Sequence, residues 1–187
     1  MTQYSPLEDN SNMIHSEADV SPLAKIGKNN IFCKGVVIGD NVIIGDNNFF
    51  GEFCLIGLKP ESREFFKESR QAVRIGDNNR FYKQVTIDGS TEKETVITDN
   101  CEFLKNSHVG HDAFIFHNVS LRCNAVVGGW CEIGRNTMIG VNAFIHQRQT
   151  IPEDVIIGAN SFVGKKDVID KGCIYGGVPV RKLKPRK

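Results

Sequence analysis

Aliphatic or aromatic residues recur at every sixth position through the second half of the chain. A period of six is neither the 3.6-residue period of a helix nor the simple alternation of a flat strand. A short fixed repeat predicts a repetitive architecture, and six residues are enough for one short strand and one corner. We therefore predict an all-β hexapeptide β-helix, in which three units close one triangular coil of a prism. The repeated positions are Ile97, Phe103, Val109, Ile115, Leu121, Val127, Ile133, Ile139, Ile145, Ile151, Ile157, Val163, Ile169 and Tyr175.

The rest of each unit supports this prediction. The position two residues before each repeated residue is small or modest, so both side chains of a strand would point into the prism. Glycine often follows the repeated residue and asparagine is common nearby, and we expect both to accept the unusual dihedrals of the corners. The alternative is an ordinary β-sandwich with chance spacing. The small positions are Cys101, Ser107, Ala113, Val119, Ala125, Cys131, Thr137, Ala143 and Ser161.

The same period begins at Ile14, but two insertions interrupt it. Ile56 and Ile75 are 19 residues apart, and Ile87 and Ile97 are 10 apart, where one unit needs six. The first insertion is charged and could hold a short helical turn. We predict an N-terminal arm over residues 1–13, a β-helical domain over 14–180 and a basic C-terminal tail over 181–187.

Counting in sixes places four repeated residues, 18 apart, on one face of the prism: Val109, Val127, Ile145 and Val163. If each insertion replaces a single corner, both insertions leave the prism at the corner that follows this face. Loops and titratable groups that converge on one edge of a rigid scaffold are typical of a functional site. The residues two positions after the four form a ladder along that corner: His111, Gly129, Gln147 and Lys165.

Composition narrows the class of protein. The chain has 187 residues, enough for one domain with a core, and its net charge of +1 predicts neither nucleic-acid binding nor attraction to an acidic membrane. Apolar runs are cut by Gly, Asp or Asn, so we expect no membrane insertion. Cys33 and Cys123 lie off the inward positions, and no CxxC pair exists. We expect reduced thiols in a cytoplasmic protein, without a disulfide or zinc framework. The inward cysteines are Cys54, Cys101, Cys131 and Cys173.

Among the five histidines, His111 is the candidate general base, because it lies on the corner ladder and imidazole titrates near neutrality. An exposed corner histidine is the alternative interpretation. His117 has the same position on the next face and fits ordinary surface. His146, two coils above His111, is a candidate cleft residue, and His15 is expected to be structural.

Several segments resemble the UDP-N-acetylglucosamine O-acyltransferase of lipid A synthesis. They are Ile75-Gly76-Asp77-Asn78-Asn79, Val85-Thr86-Ile87, Ser107-His108-Val109-Gly110-His111-Asp112 and Phe144-Ile145-His146-Gln147. The resemblance covers roughly residues 14–165 and implies a left-handed parallel β-helix that works as a homotrimer with sites between subunits. It also implies that His111 is the catalytic base, that Asp112 orients it, and that the Gly129 N–H stabilises the oxyanion.

Three departures from that family affect the prediction. Trp130 stands where the family has a histidine, and Asp88-Gly89-Ser90 replaces a basic turn. From Ile157 onward the sequence resembles the ending of acetyl-CoA-dependent hexapeptide transferases instead of the helical C-terminal domain of the family. This ending favours coenzyme A as the donor. Lys165, three coils above His111, would lie about 14 Å away, close to the reach of a pantetheine arm.

We therefore predict a transferase that moves an acetyl group from acetyl-CoA to the amino group of a nucleotide-linked sugar, with no metal. The predicted substrate-binding residues are Asp88, Asn106, His108, Trp130, His146 and Gln147. The predicted coenzyme A-binding residues are Gln147, Lys165, Lys166 and Arg181. The alternatives are an O-acyltransferase that uses acyl carrier protein and a UDP-sugar hydroxyl, a γ-type carbonic anhydrase with zinc on His108, His111 and His117, and an inactive β-helical scaffold.

Overall fold

The computed structural model describes residues 4–7, 10–60 and 71–186, and every regular element in these ranges is a β-strand. Three sheets form the three sides of a prism, which confirms the predicted left-handed parallel β-helix. Within the described ranges, no helix is long and apolar enough to cross a membrane.

The strands are short, and each sheet takes one strand from each coil. The eleven-strand sheet contains Tyr4–Leu7, Asn10–His15, Ile31–Phe32, Phe49–Phe50, Arg80–Phe81, Glu102–Phe103, Ser120–Leu121, Met138–Ile139, Ile156–Ile157, Cys173–Gly176 and Arg181–Pro185. The eight-strand sheet contains Asp19–Val20, Val37–Ile38, Leu55–Leu58, Thr86–Asp88, His108–Val109, Val126–Val127, Phe144–Ile145 and Phe162–Val163. The seven-strand sheet contains Lys25–Ile26, Val42–Ile44, Val73–Ile75, Thr95–Ile97, Phe114–Ile115, Glu132–Ile133 and Thr150–Ile151.

Neighbouring coils pair in parallel, while the two ends of the eleven-strand sheet are antiparallel. Tyr4–Leu7 folds back on Asn10–His15 at one end. At the other end, Arg181–Pro185 folds back on Cys173–Gly176. The described parts of the predicted arm and the predicted tail therefore extend this sheet.

The core is a set of columns made by equivalent residues of successive coils. The repeated residues from Ile97 to Tyr175 are all buried, as predicted, and so are the small positions before them. Phe32, Phe50, Phe81 and Phe103 stack with ring centroids 4.9, 4.8 and 4.8 Å apart. This distance matches the spacing of paired strands, so each coil places one ring directly on the ring of the previous coil.

The corners explain both the asparagines and the glycines, but for different reasons. The residue three positions after most of the repeated residues has a positive φ, for example Asn118 at 59° and Asn136 at 57°. Asparagine accepts this left-handed conformation, as predicted. The glycines that follow the repeated residues do not have it. A Cβ on Gly110 would lie 2.7 Å from the Gly129 nitrogen, and one on Gly128 would lie 2.6 Å from the Gln147 nitrogen. The dihedral explanation is therefore wrong for these glycines. At Gly110 and Gly128, glycine is needed because the next coil passes too close for a side chain.

Both insertions leave the prism at the same corner, as predicted. Ile56, Ile87 and Val109 are aligned in adjacent strands of the eight-strand sheet. Each insertion then leads into a strand of the seven-strand sheet, Val73–Ile75 or Thr95–Ile97. We call the corner between these two sheets the site corner. Residues 61–70, with most of the predicted helical turn, lie outside the described ranges.

Candidate active site

His111 and Asp112 form a hydrogen-bonded pair at the site corner. They follow the buried Val109 by two and three residues, and the positive φ of Asp112, 59°, turns the chain there. His111 Nδ1 lies 2.7 Å from Asp112 Oδ2. The Asp112 side chain is fully buried, whereas that of His111 is 15% exposed. The pair thus has a buried carboxylate and an imidazole that can reach a ligand.

The carboxylate of Asp112 is held by the second insertion. It accepts hydrogen bonds from the hydroxyl and the N–H of Thr91 and from the N–H groups of Glu92 and Lys93. Burial by itself would raise the pKa of Asp112. The hydrogen bonds from Thr91, His111 and the two backbone N–H groups outweigh burial and hold this pKa below its ordinary value. Asp112 is therefore ionised at neutral pH and orients the imidazole as an acceptor.

Gly129 lies one coil above, directly beside the other imidazole nitrogen. A Cβ at this position would lie 3.0 Å from His111 Nε2, so glycine leaves the space beside this nitrogen open. The described residues include no hydrogen-bond acceptor for the Gly129 N–H. This N–H is available to a bound oxyanion next to His111 Nε2, which is the arrangement that acyl transfer needs.

Trp130 and Arg148 close the upper side of His111. The backbone N–H of Trp130 donates to the His111 carbonyl oxygen over 2.9 Å, and the indole and imidazole rings meet edge to face with centroids 4.2 Å apart. The Arg148 guanidinium carbon lies 4.0 Å from the centroid of the Trp130 ring, on its face. This cation–π contact fixes the ring that limits the rotation of His111.

Asp88 and His108 line a second part of the candidate site, just below His111. Thr86 Oγ1 lies 2.7 Å from His108 Nδ1, and Asp88 Oδ2 lies 3.7 Å from His108 Nε2. These side chains line a cavity of about 370 Å³ together with Leu55, Leu58, Lys59 and Ile87. The structure thus brings two predicted substrate-binding residues into one polar cavity.

The other predicted site residues are more scattered. His146 lies two coils above His111, with its Nδ1 3.0 Å from the Gln147 carbonyl oxygen. Gln147, Lys165 and Lys166 are exposed higher on the site corner. Asn106 lies at the corner between the eleven-strand and eight-strand sheets and donates to Asn124 over 2.9 Å, so it is not beside His111. Arg181 lies on the C-terminal strand of the eleven-strand sheet and pairs with Gly176.

His117, offered as a zinc ligand only in the carbonic anhydrase alternative, and His15, expected to be structural, lie away from the pair. His117 is at the corner between the seven-strand and eleven-strand sheets, beside a cavity of about 390 Å³. His15 is buried, and its Nδ1 accepts the Glu17 N–H. The described residues contain no group of three His, Cys, Asp or Glu side chains that could hold a metal ion.

Three residues of the site were not predicted from the sequence: Thr86, Thr91 and Arg148. Thr86 and Arg148 could have been found by stacking the coils, because Thr86 pairs with His108 and Arg148 lies 18 residues after Trp130. Thr91 could not, because it belongs to an insertion whose path the repeat does not determine.

Three of the buried cysteines are poor nucleophiles. Burial raises the pKa of Cys54 and Cys101 to about 12 and that of Cys131 to about 11, so their thiols stay protonated. None of the six cysteines, all of which lie in the described ranges, forms a disulfide.

Comparison with known proteins finds one matching repeat family and sequence relatives that are named as O-acyltransferases. The family described as bacterial transferase hexapeptide (six repeats) matches residues 23–58. An acyl-(acyl-carrier-protein)–UDP-N-acetylglucosamine O-acyltransferase from Campylobacter concisus is 30% identical over 139 residues, which are 70% of this chain and 53% of the relative. One of the same name from Paracoccus denitrificans is 38% identical over 82 residues, 42% of this chain and 31% of the relative. The chain thus spans about half or less of the length of these curated relatives.

Solved structures agree over nearly the whole chain. UDP-N-acetylglucosamine O-acyltransferase from Moraxella catarrhalis superposes with a TM-score of 0.82 at 26% identity, covering 95% of this chain and 74% of that one. The UDP-N-acetylglucosamine acyltransferase of Francisella novicida gives a TM-score of 0.82 at 25% identity, covering 94% and 69%. The chain thus contains a hexapeptide-repeat match, has the left-handed parallel β-helix of these solved structures, and resembles the UDP-N-acetylglucosamine O-acyltransferases over most of its length.

Proposed function

We propose that the chain transfers an acyl group from a thioester donor to a hydroxyl of a UDP-linked sugar, with His111 as the general base. The observation that carries this proposal is the 2.7 Å bond from His111 Nδ1 to the buried Asp112, with His111 Nε2 beside Gly129. The names of the sequence relatives support a UDP-sugar as the acceptor.

In the proposed reaction, His111 Nε2 removes the proton of the acceptor hydroxyl as its oxygen attacks the thioester carbonyl carbon. The Gly129 N–H donates to the oxyanion of the tetrahedral intermediate. The carbon–sulfur bond then breaks, and the leaving thiolate takes the proton from the imidazolium. The base should contribute about 10²–10⁴-fold and the oxyanion donor about 10²–10³-fold to the rate.

A direct transfer fits better than a covalent acyl-enzyme. A cysteine nucleophile must be a thiolate, and the raised pKa values of Cys54, Cys101 and Cys131 keep those thiols protonated. We therefore propose that donor and acceptor bind together.

The donor is where the proposal departs from the sequence prediction. The curated relatives are named for acyl carrier protein and O-acylation, which favours an acyl-carrier-protein thioester and a sugar hydroxyl. Acetyl-CoA with an amino sugar stays as the second candidate. Two observations favour it: the Asp88 carboxylate in the cavity, which suits an ammonium group, and the exposed Lys165 and Lys166, which suit the phosphates of coenzyme A.

We further propose that Asp88, His108, Trp130 and His146 contact the acceptor sugar and that the protein is a homotrimer. The support for a subunit contact is an apolar patch on the outer side of the eight-strand sheet. Phe144 and Phe162, on adjacent strands, are 39% and 36% exposed there, and their rings stack. Apolar side chains grouped in this way are typical of an interface.

The test is thiol release by the full chain with two sets of substrates. One set is acyl carrier protein loaded with acyl chains of different lengths, together with UDP-N-acetylglucosamine. The other is acetyl-CoA with UDP- and dTDP-amino sugars. His111→Ala is compared with His117→Ala, the matched histidine on another corner. Release from the first set that is lost only in His111→Ala supports the proposal. Release only from the second set replaces it with N-acetylation, and silence in both sets identifies an inactive scaffold.

A further inference from the structure

We infer that Thr91, in the second insertion, is a positioning residue that keeps His111 in the form of an acceptor base. This inference rests on the proposed role of His111. Thr91 does not touch a reacting atom; it acts through the Asp112 carboxylate.

Both oxygens of the Asp112 carboxylate make hydrogen bonds, and one of them is shared between Thr91 and His111. Asp112 Oδ2 accepts from the Thr91 hydroxyl at 2.6 Å and lies 2.7 Å from His111 Nδ1. Asp112 Oδ1 accepts from the N–H groups of Glu92 at 2.8 Å and Lys93 at 2.7 Å. The Thr91 N–H points to the same carboxylate, 3.1 Å from Oδ2. Consecutive N–H groups that surround an anion in this way form a nest.

These hydrogen bonds determine which nitrogen of the His111 imidazole carries the proton. A backbone N–H can only donate, and so many donors on one carboxylate require its ionised form. An ionised carboxylate can only accept, so the proton of the bond to His111 belongs to Nδ1. A neutral imidazole with its proton on Nδ1 has a free lone pair on Nε2. Thr91 completes the acceptor capacity of Oδ2 and thereby fixes both the place of the carboxylate and the tautomer of His111.

The second insertion, and not the coil, supplies the donors from Thr91, Glu92 and Lys93. Thr91 is only 7% exposed and Ser90 is fully buried. The Ser90 hydroxyl accepts the Ala72 N–H at 3.0 Å, and the Gly89 N–H donates to the Leu58 carbonyl at 2.8 Å. The loop is therefore held between the ends of the first insertion and Asp112, so Thr91 has a fixed position under the base. A corner without the insertion would leave Asp112 buried with His111 but without the nest.

The test compares Thr91→Val, Thr91→Ser and Thr98→Val. Valine keeps the shape of threonine and removes the hydroxyl, whereas serine keeps the hydroxyl. Thr98 is the matched control, because its hydroxyl oxygen is buried and has no hydrogen-bond partner among the described residues. For Thr91→Val we expect kcat about tenfold lower, which corresponds to about 1.4 kcal/mol, with KM within about twofold of the wild type. Thr91→Ser should restore most of kcat, and Thr98→Val should leave it unchanged.

A second readout needs no substrate. Nitrogen-15 NMR of the His111 ring should show the proton on Nδ1 in the wild-type protein and in Thr91→Ser. In Thr91→Val only the longer backbone contact of residue 91 still holds Oδ2, so Oδ2 can move away from Nδ1 and the ring should show a mixture of tautomers. An unchanged tautomer and kcat in Thr91→Val would overturn the inference, as would an equal loss in Thr98→Val. If the wild-type protein transfers no acyl group, the proposed function fails, and the NMR comparison still decides the role of Thr91.

Discussion

Replacing Asp112 with asparagine should remove the base without removing the imidazole. The amide oxygen can occupy only one of the two carboxylate positions. The N–H groups of Glu92 and Lys93 both point at the Oδ1 position and can only donate, so the amide oxygen must take this position. The amide NH₂ then takes the place of Oδ2 and donates to His111 Nδ1. Nε2 must therefore carry the imidazole proton and can no longer accept one from a substrate.

The cost in stability follows from the same contacts. The buried Thr91 N–H loses its 3.1 Å bond to Oδ2 and keeps only its longer contact to Oδ1, at 3.3 Å, which costs up to about 1–3 kcal/mol. The two bonds to Oδ1 are no longer made to a charged group, which costs about 1 kcal/mol each. The free energy of unfolding should fall by about 2–5 kcal/mol, so a domain of ordinary stability stays folded. We expect kcat to fall by about 10²–10⁴-fold, the contribution of a general base.

The assay combines urea denaturation with acyl transfer, and Asp154→Asn is the matched control. Asp154 has the equivalent position in its own repeat unit, three residues after Ile151 and with φ 61°, but at a different corner of the prism. Its carboxylate accepts a hydrogen bond from Asn136 alone among the described residues. The pH dependence gives an independent check. Because folding lowers the pKa of Asp112, its contribution to stability is present above the unfolded pKa and is lost as pH falls through the folded pKa. Asp112→Asn should lack that acid-dependent part. Wild-type kcat in Asp112→Asn, or an equal loss of stability in Asp154→Asn, would refute the reasoning.

Two further predictions concern other parts of the site and the core. Gly129→Ala places a methyl group 3.0 Å from His111 Nε2 and should lower kcat about 10–100-fold. Gly158→Ala is the control, because the atom nearest to its methyl group is 3.2 Å away and does not belong to His111. Equal kcat values for both variants would contradict the argument that the space beside Nε2 must stay open. Because burial raises its pKa to about 11, Cys131 should resist iodoacetamide in the native protein and react on unfolding, as followed by mass spectrometry; native labelling as fast as at the less buried Cys123 would show that it is not shielded.

The repeat made most of the scaffold predictable from sequence. Because each coil repeats the same inward positions, Val109 and Ile145 could be assigned to one face, and the corner of both insertions followed by counting. The glycine positions were also visible, but their cause was not. Gly110 and Gly128 are defined by the distance to the next coil, a contact between residues that are not neighbours in sequence.

The candidate site was predictable only as far as it lies on the coils. His111, Asp112 and Gly129 occupy repeat positions, so stacking brings them together. Thr91 lies in an insertion, where no period relates sequence position to space. The partnership of Asp112 with the insertion is therefore a property of tertiary packing alone.

The two insertions make the molecule modular. Ile56, Ile87 and Val109 are 31 and 22 residues apart instead of 18, yet they pair in register as if the extra residues were absent. The stacked coils hold the protein together, and the second insertion, which contacts the described ends of the first, holds Asp112 beside His111. Loops of other lengths and sequences could be exchanged at this corner while the coils keep their pairing, provided that a donor for Asp112 is kept. A library confined to the described residues that line the cavity at this corner would thus vary the acceptor that we propose for the site while it leaves the coil pairing intact.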